Sequence, residues 1–240
     1  MLVRARVVDA LLLKLHPDLR RRAVAEAVGT GFLVAVVVGS GVFAQRLSPS
    51  DVGLQLLENS IATGAGLVAL ILAFASVSGA HFNPVVTLAS RIAGHLNTRE
   101  GIVYGASQIV GGCVGAIVAN VMFDLPAVTL STQERSSAGI WLGEAVATFG
   151  LLVVILALAR TDRSTFVPFA VGGYIAAAYW FTSSTSFANP AVTIARSLTD
   201  TFAGIAPSSV PAFVVAQVIG GVVAIAFCAY LYDSRRVPVP

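Results

Sequence analysis

The chain has 240 residues, of which 56% are hydrophobic and only 11% charged, with a mean hydropathy of +0.84. A soluble domain carries roughly 25% charged residues, so this composition excludes an ordinary soluble enzyme and a disordered chain. The formal net charge is +3, and its excess lies near the N-terminus rather than in a basic stripe, which argues against a nucleic-acid-binding surface.

In chain order, residues 1–22 carry Arg4, Arg6, Lys14, Arg20, Arg21 and Arg22. The apolar stretch 10–15 is too short, and too interrupted by Lys14, for a cleaved signal peptide. The segment is expected to be a cytosolic basic arm. Long apolar segments follow at 23–43, 60–78, 101–122, 140–159, 166–181 and Val210–Leu231. Their lengths approach the ~20 residues that a helix needs to cross a bilayer. Two shorter pieces begin at Asn83 and Asn189 and suit re-entrant half-helices. The predicted class is an all-α membrane protein with six transmembrane helices and two half-helices. The predicted organisation is a first repeat over 23–122, a connecting loop over 123–137, a second repeat over 138–232 and a cytosolic tail over 233–240.

With both termini inside, twelve of the fifteen Lys and Arg residues fall on the inner side and only Arg46, Arg135 and Arg196 on the outer. That bias predicts cytoplasmic termini in a plasma membrane. Cys113 and Cys228 sit in apolar runs with no metal or redox spacing. No catalytic set, phosphate loop or ligand cluster is present, so no enzyme and no cofactor are expected. Trp141 and Trp180 lie near span ends as interfacial anchors. The pairs Gly111 with Gly112 and Gly220 with Gly221, together with Gly115, suit close helix packing.

Three short stretches recur in the same order. Glu-Ala-Val-Gly-Thr at 26–30 returns as Glu-Ala-Val-Ala-Thr at 144–148. Asn-Pro-Val-Val-Thr at 83–87 returns as Asn-Pro-Ala-Val-Thr at 189–193. Gln-Ile-Val-Gly-Gly at 108–112 returns as Gln-Val-Ile-Gly-Gly at 217–221. Each half has three spans, so the second enters from the opposite face. The result is an inverted 3+3 repeat whose two Asn-Pro pieces meet near the midplane.

Asparagine is a strong N-cap and proline suits the first helical turn. Asn83 with Pro84, and Asn189 with Pro190, therefore start two short helices whose positive ends face each other. Such a centre repels cations and hydrated protons, while the Asn amides donate to a passing oxygen. The expected outcome is a pore for uncharged, hydroxylated solutes.

On these residues the chain resembles the aquaporin, or major intrinsic protein, family. Ser78, Gly79, Ala80, His81, Phe82, Asn83 and Pro84 are similar to its first pore-loop motif. Phe187, Ala188, Asn189, Pro190 and Ala191 are similar to its second. Glu26 and Glu144 match its buried glutamates, which brace the pore loops, and Gln108 and Gln217 match its third and sixth helices. The resemblance implies a six-helix bundle, a homotetramer with one pore per subunit, and small neutral solutes and the lipid bilayer as partners. Two departures stand out: the first motif ends in Val85 instead of alanine, and Val192 stands where the family's filter arginine is expected. Valine there resembles channels found with bacterial arsenic-resistance genes, which implies neutral arsenite or methylated arsenicals beside water and glycerol-like polyols.

By the same resemblance, the selectivity filter falls at Thr63, Ser186, Val192 and either Ala177 or Tyr179, depending on a two-residue gap in an outer loop. Such a filter is wide and lacks the fixed charge. His81 is expected to orient its loop, with a pH-sensitive gate as the alternative, and Arg196 is expected to cap its half-helix or reach the pore mouth. His16 and His95 are expected to be solvated. Three rival readings remain open: an ion-coupled secondary transporter using Glu26 or Glu144, a strict water channel, and a non-conducting homologue plugged by Tyr179 and Phe187.

Overall fold

The computed structural model describes residues 18–232. Most of the basic arm, His16, and the 233–240 tail therefore lie outside the described residues. Eight α-helices follow in order: α1 (Leu19–Leu47), α2 (Val52–Ser78), α3 (Pro84–Ile92), α4 (Thr98–Met122), α5 (Ala138–Arg160), α6 (Val167–Phe181), α7 (Pro190–Arg196) and α8 (Val210–Leu231). All six expected long segments and both short ones are helical. The long helices run past the apolar segments because capping residues stand further out. Asp18 accepts from the Arg21 amide at 2.8 Å, and Asp51 accepts from the Leu54 amide at 2.9 Å. Asn97 and Glu100 form a reciprocal capping box at the start of α4. These side chains satisfy N–H groups that the first turn leaves without partners.

Helix α6 is the exception in length, at 15 residues. The 3₁₀ turn Ser164–Phe166 precedes it directly. At about 1.5 Å per α residue and 2.0 Å per 3₁₀ residue, the two together come to about 28 Å, close to the ~30 Å of a hydrocarbon core.

Hydrogen bonds at the helix ends fix the directions. Arg22, early in α1, pairs with Glu100 of α4 at 3.0 Å and donates to the Tyr104 hydroxyl at 2.8 Å. At the other end, Arg46 of α1 donates to the Phe123 carbonyl just past α4. Helices α1 and α4 are thus parallel. In the second half, Arg160 at the end of α5 donates to the Cys228 carbonyl near the end of α8, so α5 and α8 are also parallel. They run oppositely to α1 and α4, because the residues before α5 and α8 join the far end: Asn120 near the end of α4 bonds Thr199, and Gln133 bonds the Thr201 carbonyl. The fold is an inverted repeat.

Each parallel pair is packed at glycine. A Cβ on Gly111 or Gly115 would overlap the carbonyl oxygens of Ala27 or Gly31, and one on Gly220 would overlap that of Ala145. The outer surface is apolar. Phe32, Ile61, Ile102, Leu142, Phe169 and Val215, one from each long helix, are all more than half exposed. The buried side instead collects Glu26, Glu144, Gln108 and Gln217, each fully enclosed. Apolar outside and polar within is the pattern of a bundle whose solvent is lipid.

Candidate functional site: a pore between two half-helices

The two loops that precede α3 and α7 have one conformation, repeated. Gly79, Ala80 and Phe82 have φ of 88°, 50° and 48°, and Thr185, Ser186 and Ala188 have φ of 61°, 51° and 48°. Left-handed residues other than glycine carry strain, and here each loop is held by a carboxylate. Glu26 accepts from the His81 amide at 3.0 Å and from the Phe82 amide at 2.7 Å, as well as from Ser78 Oγ and Gln108 Nε2. Glu144 accepts from the Phe187 amide at 2.8 Å, the Ala188 amide at 2.9 Å and Gln217 Nε2 at 2.6 Å. Neither carboxylate is among the residues lining the two cavities described below.

The loops then cross. Asn83 Nδ2 donates to the Ala188 carbonyl at 2.7 Å, and Asn189 Nδ2 donates to the Phe82 carbonyl at 2.7 Å. Each Asn Oδ1 is held by its own helix: Asn83 accepts from the Val85 amide at 2.9 Å, and Asn189 accepts from the Ala191 amide at 3.0 Å. The acceptor of each amide is thus occupied, and one N–H of each Nδ2 is left over. Both asparagines line a cavity of about 360 Å³. Pro84, Val85, Pro190 and Ala191 are not in its wall. Val85 packs toward α8, where a Cβ on Gly221 would overlap its Cγ1. The valine that departs from the usual motif is therefore accommodated behind the passage.

The lining of this cavity combines apolar helix stripes with residues of the pore loops. Val167, Val171, Ile175 and Tyr179 of α6 line it at four-residue spacing, as do Thr63, Leu67 and Ile71 of α2. Gly79, Ala80 and His81 also line it, and their carbonyls accept no hydrogen bond from the described residues. The His81 ring meets Thr87 Oγ1 at 3.2 Å and lies edge-on to Tyr104, an arrangement that orients the loop. His95 is exposed and stands at the cavity's termini end.

At the far end, Thr63, Tyr179, Ser186 and Val192 all line the cavity. Ala177 does not: it is exposed on the other side of α6. The expectation that admitted Ala177 is corrected by helix geometry. Two residues along a helix turn about 200°, so only one of the pair can face inward, and the stripe at 171 and 175 selects Tyr179. The Tyr179 hydroxyl meets Thr63 Oγ1 at 3.1 Å, joining the packed helices α2 and α6 at this end of the cavity.

A second cavity of about 180 Å³ lies beyond, lined by Val52, Leu56, Asn59, Gln133, Arg135, Thr185, Arg196 and Phe202. Arg135 was not among the expected site residues. It donates from Nε to the Gly204 carbonyl at 2.9 Å and approaches the Phe187 ring at 5.1 Å. Burial pulls its pKa below the ordinary value, with Glu144 and Tyr179 opposing the shift. It lies in a loop with no periodicity, so no sequence signal singles it out. Phe187, expected in the second pore-loop motif, stands in repeat register with His81, and both line the first cavity.

The family model for major intrinsic protein matches residues 14–188. An aquaglyceroporin, AqpS of Rhizobium meliloti, is 50% identical over 219 residues, covering 91% of this chain and 93% of the relative. Aquaporin Z of Photorhabdus laumondii is 32% identical over 63% of this chain and 71% of its own length. Among solved structures, the X-ray structure of the aquaglyceroporin from Plasmodium falciparum superposes with a TM-score of 0.70 at 22% identity, over 91% of this chain and 98% of that one. With the crossed Asn-Pro loops in a bundle of apolar helices, these matches establish that the chain belongs to the major intrinsic protein family and is an integral membrane channel, not an enzyme.

Proposed function

We propose that the chain is a passive channel of the plasma membrane for small uncharged solutes: water, glycerol-like polyols, and neutral metalloids such as arsenite or methylated arsenicals. Its termini are cytoplasmic, and it assembles as a homotetramer with one pore in each subunit. The observation that carries this reading is the crossed pair of asparagines in the cavity wall. Their oxygens are tied to helix N–H groups, so they offer a permeating molecule only donors. A water held there accepts on both sides and turns its own hydrogens away, which interrupts a proton wire. Val192 in the filter supports the larger solutes, and the name of the AqpS relative supports glycerol beside water.

The Thr63 to Tyr179 contact favours a second reading, a strict water channel. Stopped-flow light scattering on proteoliposomes separates the two. Rapid shrinkage in sucrose, followed by rapid re-swelling with glycerol, urea or arsenite, is the expected result. Fast water flux without solute entry would instead mean that the hydroxyl pair closes the filter to anything larger than water.

A further inference from the structure

We propose that Arg196 is the filter's specificity-determining cation, moved one helical turn along α7 from the position that Val192 occupies. This rests on the channel reading above and changes its account of selectivity: the positive charge has been displaced from the filter, not lost from it.

Three observations place it there. Among the described residues, Arg196 alone lines both the large cavity and the far-end cavity, so it stands where one gives way to the other. It is 2% exposed, yet it has no carboxylate partner, since the ion pair among the described residues joins Arg22 to Glu100. Finally, its bonding is one-sided. Nε donates to the Ala203 carbonyl, and the guanidinium carbon lies 3.3 Å from the centre of the Phe187 ring. The two terminal nitrogens donate to no described residue.

Capping of α7 does not require this arrangement. The carbonyl and the ring hold the guanidinium plane in place and leave its outer edge free. A buried arginine without a counter-charge is costly, and its bare donors suit an oxygen that arrives and leaves. The ligand class is a neutral, oxygen-bearing solute: a polyol, an amide, or an oxyacid in its uncharged form. Ser186 Oγ, in the same wall, also has no partner. Arg135, bonded to carbonyls and close to the same ring, adds a second positive charge on the far-end side. Cations meet both before they reach the asparagines.

The test uses an isosteric pair, urea and guanidinium, with the full-length channel in proteoliposomes. Arg196→Gln should raise guanidinium entry relative to urea by about tenfold or more, the scale of one fixed charge across a partly hydrated gap. Arg196→Lys should restore rejection. An unchanged ratio in an Arg196→Gln protein that elutes as a single species with wild-type helicity would overturn the proposal.

A second measurement covers a variant that fails to fold, or a wild type that passes no urea. Wild-type channel is treated with 2,3-butanedione, which bridges the terminal nitrogens of a guanidinium, and its arginines are mapped by mass spectrometry. An adduct at Arg196 that high glycerol prevents supports the free edge. Modification of the exposed Arg91 with none at Arg196 overturns it. Absence of all solute flux would count against the channel reading alone, since the adduct map still reports on Arg196.

Discussion

At the scale of single residues, the proposed filter turns on where one tyrosine points. Gapless counting along α6 gives Ala177 and a two-residue gap in an outer loop gives Tyr179, and sequence does not fix that loop length. The four-residue stripe of Val171, Ile175 and Tyr179 was present in the sequence and resolves the choice. Its hydroxyl contact with Thr63 was not legible, because it joins side chains 116 positions apart. Replacing Tyr179 with alanine is expected to open this point and raise glycerol flux several-fold while water flux changes less. Equal changes in both fluxes would place the limiting constriction elsewhere. Arg135 shows the opposite limit: a loop arginine held by carbonyls of a distant segment leaves no pattern to read.

At the scale of elements, the starts of the long helices were not legible: they follow the caps Asp18, Asp51 and Asn97, ahead of the apolar segments expected from 23, 60 and 101. Both half-helices were found from their Asn-Pro pairs. Their ends were less clear: α3 reaches nine residues and α7 only seven. Glycine patterns indicated packing, and the structure separates glycines that need the space from those that do not. Gly111 and Gly105 both lie in α4, but a Cβ on Gly111 would overlap the Ala27 carbonyl, whereas one on Gly105 meets nothing within 4 Å. Gly111→Ala is expected to cost about 1–3 kcal/mol through overpacking. Gly105→Ala should stabilise by about 0.5–1 kcal/mol, the ordinary helix preference of alanine over glycine. Thermal unfolding of the two proteins in detergent, read by circular dichroism, checks the opposite signs.

At the scale of the whole molecule, the inverted repeat makes quantitative equivalence the expectation. The three recurring sequence stretches revealed it, and their register carries through to atoms. Thr30 and Thr148 each donate to the carbonyl of the glutamate four residues before. Gln108 and Gln217 each reach one glutamate and one half-helix threonine. Glu26→Ala and Glu144→Ala each leave two loop amides and a glutamine without their acceptor. At about 1–3 kcal/mol per buried unsatisfied group, each should lower stability by several kcal/mol, and to a similar degree. A large loss for one glutamate and none for the other, in the same denaturation assay, would show that the two loops are not equally dependent on their braces.

The crossed amides also have a consequence in time. Asn83 finds its carbonyl partner 105 residues further along the chain. At roughly 5–20 residues per second of synthesis, the first half waits several seconds in the bilayer with its loop unmatched. Until Ala188 arrives there is half a lining and no continuous route through it. A chain that stops before that point lacks the carbonyl to which the Asn83 amide donates, so the centre of the passage is completed only by the second half.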